Sequence, residues 1–348
     1  MQKKPRKLHG GDIYRHPDVI DFSVNTNPLG TPESVKCAVR ESVAKIEHYP
    51  DVRCEALREA ISRFEQVNME EILCGNGAAE LFFAAVQAVW PQKALVIAPS
   101  FSEYEEALRS FGAEVEYYYL CEEDNFQIRE DYVDKLSEEI DMIFLCNPNN
   151  PTGQTIDRDR LIKILDRCKK QNIVVILDEC FLEFLDEPNR YEMSDLRGEY
   201  PNLLIIKAFT KIFSMPGLRL GYAISSNQDI LEEMSWKLQQ WNVSVPAQMA
   251  GVAALEKPKE YIRQTREYVS GQREYMRNIM KMMGYVVFAS KANYLFFKGR
   301  PGLEKEALEA GFLIRDCQNY EGLSEGFYRI AVRTKEENER LITWLGRL

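Results

Sequence analysis

From about residue 70 the chain alternates short apolar runs with stretches whose apolar residues recur every three or four positions. The runs read "EILC", "ALVIAP", "AEVEYYYL", "MIFLCNP", "VVILDE", "LLIIKAF" and "LGYAISS". Most are rich in Val, Ile and Leu without strict alternation, the pattern of strands buried on both faces. Between them "AAELFFAAVQAVW", "SEYEEALRSF" and "DRDRLIKILDRCKK" carry helical periodicity. Such alternation predicts an α/β domain with a mostly parallel sheet and helices on both faces. Near Pro258 the pattern changes. "KEYIRQTREYVSGQREYMRNIMKMMG" reads as one long helix with Met276, Ile279, Met280 and Met283 on a stripe that suits core packing. The runs "YVVFAS", "ANYLFFKG", "FLIRD" and "FYRIAVRT" read as short strands, and with a helix "LEKEALEAG" and a final amphipathic helix "KEENERLITWLGRL" they predict a small α+β domain. The first 45 residues show little periodicity. The expected division is an N-terminal arm with part of the small domain over 1–45, a large domain over 46–257 and a small C-terminal domain over 258–348.

Length agrees with that division: 348 residues is enough for about two domains and a large core without disulfides or metal. A net charge of −10 argues against general affinity for nucleic acid or an anionic membrane, while leaving room for a local basic pocket. Eight cysteines are scattered without a C-x-x-C pair, and Cys74, Cys146 and Cys180 lie in or beside apolar runs. They read as small buried hydrophobes in a reducing compartment. The start "MQKKPRKLHGG" is basic with no apolar stretch after it, and no run approaches the ~18 apolar residues of a membrane helix. The expected location is the cytoplasm. The three histidines, His9, His16 and His48, all precede residue 50. No metal site and no Ser-His-Asp constellation can be assembled from them.

Chemistry gathers at the ends of the expected strands, where ligands bind in open α/β sheets. In "CGNGAAE" a glycine turn ending at Gly77 leads into a helix, so the amides of Ala78 and Ala79 and the helix dipole suit a phosphate. A purely structural turn is the other reading. In "CNPNNPTG" two Asn-Pro steps fix the backbone and present Asn150 as a rigid amide. In "VVILDECF" Asp178 ends a very apolar strand, as a helix cap or as a carboxylate awaiting a cation. Finally "AFTKIFSMPGLRLGY" places Lys211 and Arg219 just past another strand end. One ligand accounts for all five features: pyridoxal 5′-phosphate. A lysine binds its aldehyde, an aspartate pairs with its pyridinium nitrogen, an asparagine donates to its ring oxygen, and the turn with the arginine holds its phosphate.

On these motifs, spread from "DFSVNTNPLG" to "RIAVR", the chain resembles the fold-type I, class I/II aminotransferase family. The resemblance implies that the cofactor lysine stands eight residues before the phosphate-binding Arg219. That spacing selects Lys211, leaving Lys207 as a strand-end charge. It further implies Thr210 on the cofactor phosphate, Phe101 of "PSFSEY" stacked on the ring, and Tyr49 of "HYPD" reaching the phosphate of a partner subunit in a homodimer. One position departs from the pattern. Ala208 stands where the family often carries a hydroxyl, which removes one phosphate donor and predicts weaker cofactor binding.

Two branches of the family compete, histidinol-phosphate aminotransferases and threonine-phosphate decarboxylases. "HGGDIY", Phe181 in "DECF" where the aminotransferases usually carry tyrosine, "FLIRDCQNYEGL" and Arg333 in "YRIAVR" favour the decarboxylase. The expected substrate is a small phosphorylated amino acid, L-threonine O-3-phosphate or a close analogue. Arg329 is expected on its carboxylate, and Arg315 with His9 and Asn25 on its phosphate, with Arg333 as a further cation. The expected product is (R)-1-aminopropan-2-yl phosphate with release of CO2, and amino transfer to 2-oxoglutarate is the alternative. A nucleotide-binding domain fits less well, since "CGNGAAE" lacks the third glycine of the dinucleotide fingerprint.

Overall fold

The computed structural model describes residues 9–348; the basic stretch 1–8, and with it the expectation about a secretory signal, lies outside the described residues. Thirteen strands follow in chain order among those residues. They are β1 (Ile20–Asp21), β2 (Ile72–Gly75), β3 (Lys93–Ala98), β4 (Glu114–Tyr119), β5 (Met142–Cys146), β6 (Val174–Asp178), β7 (Leu203–Ala208) and β8 (Gly221–Ile224), followed by β9 (Val286–Val287), β10 (Tyr294–Lys298), β11 (Phe312–Leu313), β12 (Arg315–Asp316) and β13 (Phe327–Ala331). Seven of them form one sheet in the order β2-β8-β7-β6-β5-β3-β4. All neighbours from β7 to β4 run parallel, and only β8 is reversed.

The unbroken apolar runs become intelligible in the central strands. Alternate side chains point to opposite faces of a strand. Ile143, Leu145, Val175, Leu177, Leu203 and Ile205 enter one apolar core. Their neighbours Phe144, Ile176, Leu204 and Ile206 enter a second core on the other face. Burying both faces demands apolar residues at every position, which is what these runs supply. Parallel pairing also brings the strand ends together: Cys146 stands opposite Asp178, and Asp178 opposite Ile206. Everything that follows β3, β5, β6 and β7 therefore meets along one edge.

A smaller antiparallel sheet, β12-β13-β10-β9, packs against the helices Pro258–Met282 and Lys335–Leu345. Met276 and Met280 are fully buried in this third core, Ile279 lies at its margin, and Met283 is 37% exposed just past the helix end. The run "FLIRD" does not form one strand. Phe312–Leu313 pairs in parallel with β1 of the N-terminal segment, and after Ile314 the chain changes sheets, so that Arg315 lies opposite Arg329. The molecule thus has a large mixed-sheet α/β domain and a smaller C-terminal α+β domain. Among the described residues no helix is long and apolar enough to cross a membrane, and no group of His, Cys, Asp and Glu is arranged to hold a metal.

Candidate active site

A cavity of about 190 Å³ opens at the sheet edge where the parallel strands end. It is lined by Ala78, Ala79, Phe101, Asn150, Asp178, Thr210, Lys211 and Arg219, eight residues singled out from the sequence, and by Glu103 and Phe181.

Asp178 ends β6 and is buried. One oxygen accepts from the hydroxyl of Tyr104 (2.5 Å) and the other from the Cys180 N–H (2.9 Å). Burial nevertheless pushes its pKa up; these hydrogen bonds and the charge of Lys211 oppose the rise without cancelling it. A buried carboxylate in that position gains from a cation placed in the cavity, such as a protonated pyridine nitrogen. Sequence reasoning missed Tyr104, although it sits in the first turn of the helix Ser102–Ser110 that Phe101 caps.

Lys211 lies in the short helical turn Phe209–Ile212 that follows β7. Its ammonium stands 5.7 Å over the Phe181 ring. Burial, helped by the nearby guanidiniums of Arg329 and Arg219, lowers its pKa to about 8. The amine is therefore available as a nucleophile near neutrality, which a solvent-exposed lysine is not.

On the opposite side, Gly77 adopts a left-handed φ of +86°, and a Cβ there would stand 2.6 Å from Nη2 of Arg219. The guanidinium thus lies directly against the start of the helix Ala78–Val89. A helix N-terminus carries partial positive charge, so two positive groups converge on one spot and call for an anion. Glu80 does not supply it, being engaged by the Asn76 N–H (2.6 Å) and Asn242 (2.6 Å). Thr210 is available beside them, and Ala208, the position where the family often carries a hydroxyl, also lines the cavity. An aldehyde acceptor at Lys211, a cation acceptor at Asp178 and an anion cradle at Gly77–Arg219 fit pyridoxal 5′-phosphate.

Asn150 follows β5. Its side-chain oxygen accepts from Nη1 of Arg329 and, more distantly, from the Tyr320 hydroxyl (3.5 Å). That fixes which end of the amide remains for a ligand, namely the N–H₂ donor. Arg329 is buried and gives its other terminal nitrogen to the Ser23 carbonyl (2.6 Å). Arg315, also buried, donates to Asn319 (2.9 Å) and lies over the Tyr320 ring at 5.2 Å.

The remaining expected residues divide. His9 stands beside Glu103 (3.7 Å) and Phe101, at the cavity margin. Asn25 is fully buried, and its side-chain oxygen has no hydrogen-bond partner. Tyr49 is 77% exposed and stacks on Trp241 at 4.4 Å, outside the cavity of its own chain. Arg333, expected on the substrate, is engaged elsewhere in this structure: its guanidinium pairs with Glu337 (3.3 Å) and its backbone N–H donates to Asn338 (2.9 Å), at the start of the last helix. Lys207 is also more than a strand-end charge. It is buried, bonded to Glu65 (2.8 Å), with Glu183, Glu192 and Glu179 between 3.3 and 3.8 Å. No sequence signal could have found this cluster, because its acids come from three separate segments: Glu65, the stretch holding Glu179 and Glu183, and Glu192.

Comparison with known proteins supplies the family context. Residues 17–345 match the family described as aminotransferase class I and II. The chain is 35% identical to the threonine-phosphate decarboxylase of Salmonella typhimurium, an alignment covering 97% of this chain and 95% of that protein. The crystal structure of the histidinol-phosphate aminotransferase from Clostridium acetobutylicum superposes with a TM-score of 0.88 at 30% identity, covering 94% of this chain and 98% of that one. That of the L-threonine-O-3-phosphate decarboxylase from Porphyromonas gingivalis gives 0.83 at 25% identity, covering 94% and 99%.

Proposed function

The chain belongs to the aminotransferase class I and II family, with pyridoxal 5′-phosphate as its cofactor, and within that family we propose that it decarboxylates L-threonine O-3-phosphate or a close phosphate or phosphonate analogue. One observation carries the substrate class. Arg315 and Arg329 are buried and directly opposite each other on neighbouring strands, and neither has a carboxylate partner among the described residues. Like charges in that relation are destabilising. A substrate bearing both a carboxylate and a phosphate removes the repulsion and uses both guanidiniums.

The cofactor, when bound, supplies an electron sink for whichever bond at the substrate's Cα is broken. The chain's residues decide which bond that is, by orientation. Arg329 holds the carboxylate, while Arg315, His9 and Asn25 hold the phosphate, so that the Cα–carboxylate bond is the one placed for cleavage. With the cofactor bound, Asp178 would keep a proton at its pyridine nitrogen and Asn150 would donate to its ring oxygen. Phe181, at van der Waals size where a tyrosine would add a hydroxyl, leaves that oxygen with one donor fewer. Loss of CO2 is balanced by one proton delivered to Cα, which the Lys211 side chain in its ammonium form would supply. The product is (R)-1-aminopropan-2-yl phosphate.

The alternative is histidinol-phosphate-type amino transfer, which the similarity to the aminotransferase of Clostridium acetobutylicum favours. Incubation with O-phosphothreonine in the absence of any keto acid separates the two. Stoichiometric CO2 with repeated turnover supports decarboxylation. Turnover that requires 2-oxoglutarate, with glutamate formed and no CO2, sinks it.

A further inference from the structure

The cavity contains a second carboxylate that the chemistry above leaves unused. Glu103 lines it beside Phe101, in a site that has to receive phosphate and carboxylate anions. A carboxylate there repels them. Burial pushes the pKa of Glu103 up; His9 and Arg219 pull it down, and Glu106 and Asp178 push it further up. Such a group needs a compensating partner.

His9 stands in that position. Its Nε2 lies 3.7 Å from Oε1 of Glu103, an ion-pair distance and not a hydrogen bond, and its ring centroid is 6.1 Å from that of Phe101. Phe101 caps the helix Ser102–Ser110 and Glu103 lies in its first turn, so one rigid helix start presents both contacts. The chain leaves His9 through a bend without room for side chains. A Cβ at Gly10 would stand 2.6 Å from the Ser23 carbonyl oxygen, and Gly11 holds a φ of +92° with a Cβ 2.9 Å from Val24. The Gly11 N–H donates to Ser23 Oγ (2.8 Å), and the Ser23 carbonyl accepts from Arg329 (2.6 Å). Glu103, His9, the Gly10–Gly11 bend, Ser23 and Arg329 form one connected path along the cavity margin, from Glu103 to the Arg329 that holds the lining residue Asn150.

We infer that Glu103 is a positioning residue that docks His9 at the cavity mouth and so holds the segment from His9 to Ser23 closed against Arg329. With Nε2 facing Glu103, Nδ1 is the ring atom left for an oxygen of the substrate's phosphate. Glu103 touches no reacting atom and acts through His9. The identity of that phosphate rests on the function proposed above; the docking does not.

Glu103→Gln keeps the shape and removes the charge. In holoenzyme without substrate, tryptic cleavage after the exposed Arg15 reports undocking. Cleavage is expected to be about fivefold faster in Glu103→Gln and in His9→Gln, and no faster again in the double variant. For O-phosphothreonine, Glu103→Gln is expected to raise KM about tenfold with kcat nearly unchanged, and Glu103→Asp to recover part of the loss. Unchanged cleavage, an unchanged KM on a substrate that is turned over, or single effects that multiply in the double variant overturns the inference. Faster cleavage in a protein that does not turn over O-phosphothreonine upholds the docking and rejects only the substrate.

Discussion

At the scale of single residues, two lysines four positions apart have opposite environments and should fail in opposite ways. Lys211 is pressed by burial and by two guanidiniums toward its neutral form, with a pKa of about 8. Lys211→Ala is expected to abolish borohydride-trappable cofactor and the associated visible absorbance while leaving the fold intact. In the cofactor-free protein the depressed value has a thermodynamic consequence. Between about pH 8 and the ordinary lysine range the unfolded chain binds more protons at this residue than the native one, so stability should rise with pH across that window. Thermal melts of the cofactor-free protein at pH 7.5 and 9.5 should show the rise, and Lys211→Met should flatten it. Lys207 is the reverse case, a cation whose charge is held by buried carboxylates. Removing it strands Glu65 and Glu179, whose pKa values burial already pushes up. Lys207→Met is expected to cost about 3–5 kcal/mol in denaturant unfolding near neutral pH, yet to retain covalently bound cofactor. A Lys207→Met protein as stable as the parent would show that the cluster is already neutralised by protons.

At the scale of elements, the phosphate cradle depends on the meeting of a strand end, a left-handed glycine and a helix start. The helix Ala78–Val89 points its amides at the cavity only because Gly77 turns the chain at φ +86°, and the guanidinium of Arg219 fills the space where a side chain would be. Gly77→Ala therefore strains the backbone and displaces the arginine together. Cofactor dissociation, followed by loss of absorbance on dilution, is expected to accelerate by about tenfold or more. An affinity equal to the parent's would mean that the phosphate is held elsewhere. The strands themselves were legible from sequence, because residues buried on both faces must be apolar at every position. The run "FLIRD" was not. Whether it is one strand or two depends on β1 and β13 competing for its two halves, and neither is local to it.

At the scale of the whole molecule, a single chain leaves apolar surface unexplained around Tyr49. Val43, Ile46 and Val52 are more than half exposed, and Tyr49 and Trp241 stack on each other in the open. We propose that a second copy covers this face and that Tyr49 reaches the partner's cavity. Sedimentation is expected to give a dimer. Tyr49→Arg should yield monomers and weaken cofactor binding in the same variant. A monomer that binds cofactor as tightly as the parent would refute the shared site.

The alternation of buried runs with amphipathic helices was readable because strand and helix burial impose their own periods on any sequence. The eight cavity residues named from the sequence meet at one end of the sheet: Ala78 and Ala79 follow β2, Phe101 follows β3, Asn150 follows β5, Asp178 ends β6, Thr210 and Lys211 follow β7, and Arg219 leads into the reversed β8. Orientation was not readable. Arg315, Arg329 and Arg333 look alike in the sequence, and only the cross-strand register buries the first two together while Glu337 takes the third. The same holds for Tyr104 on Asp178, for Glu103 against His9 and for the acids around Lys207. Each is a contact between distant segments, and its sign and depth of burial depend on how the whole chain packs. Local sequence determines which elements form and which chemistry each strand end carries; packing determines which charges meet.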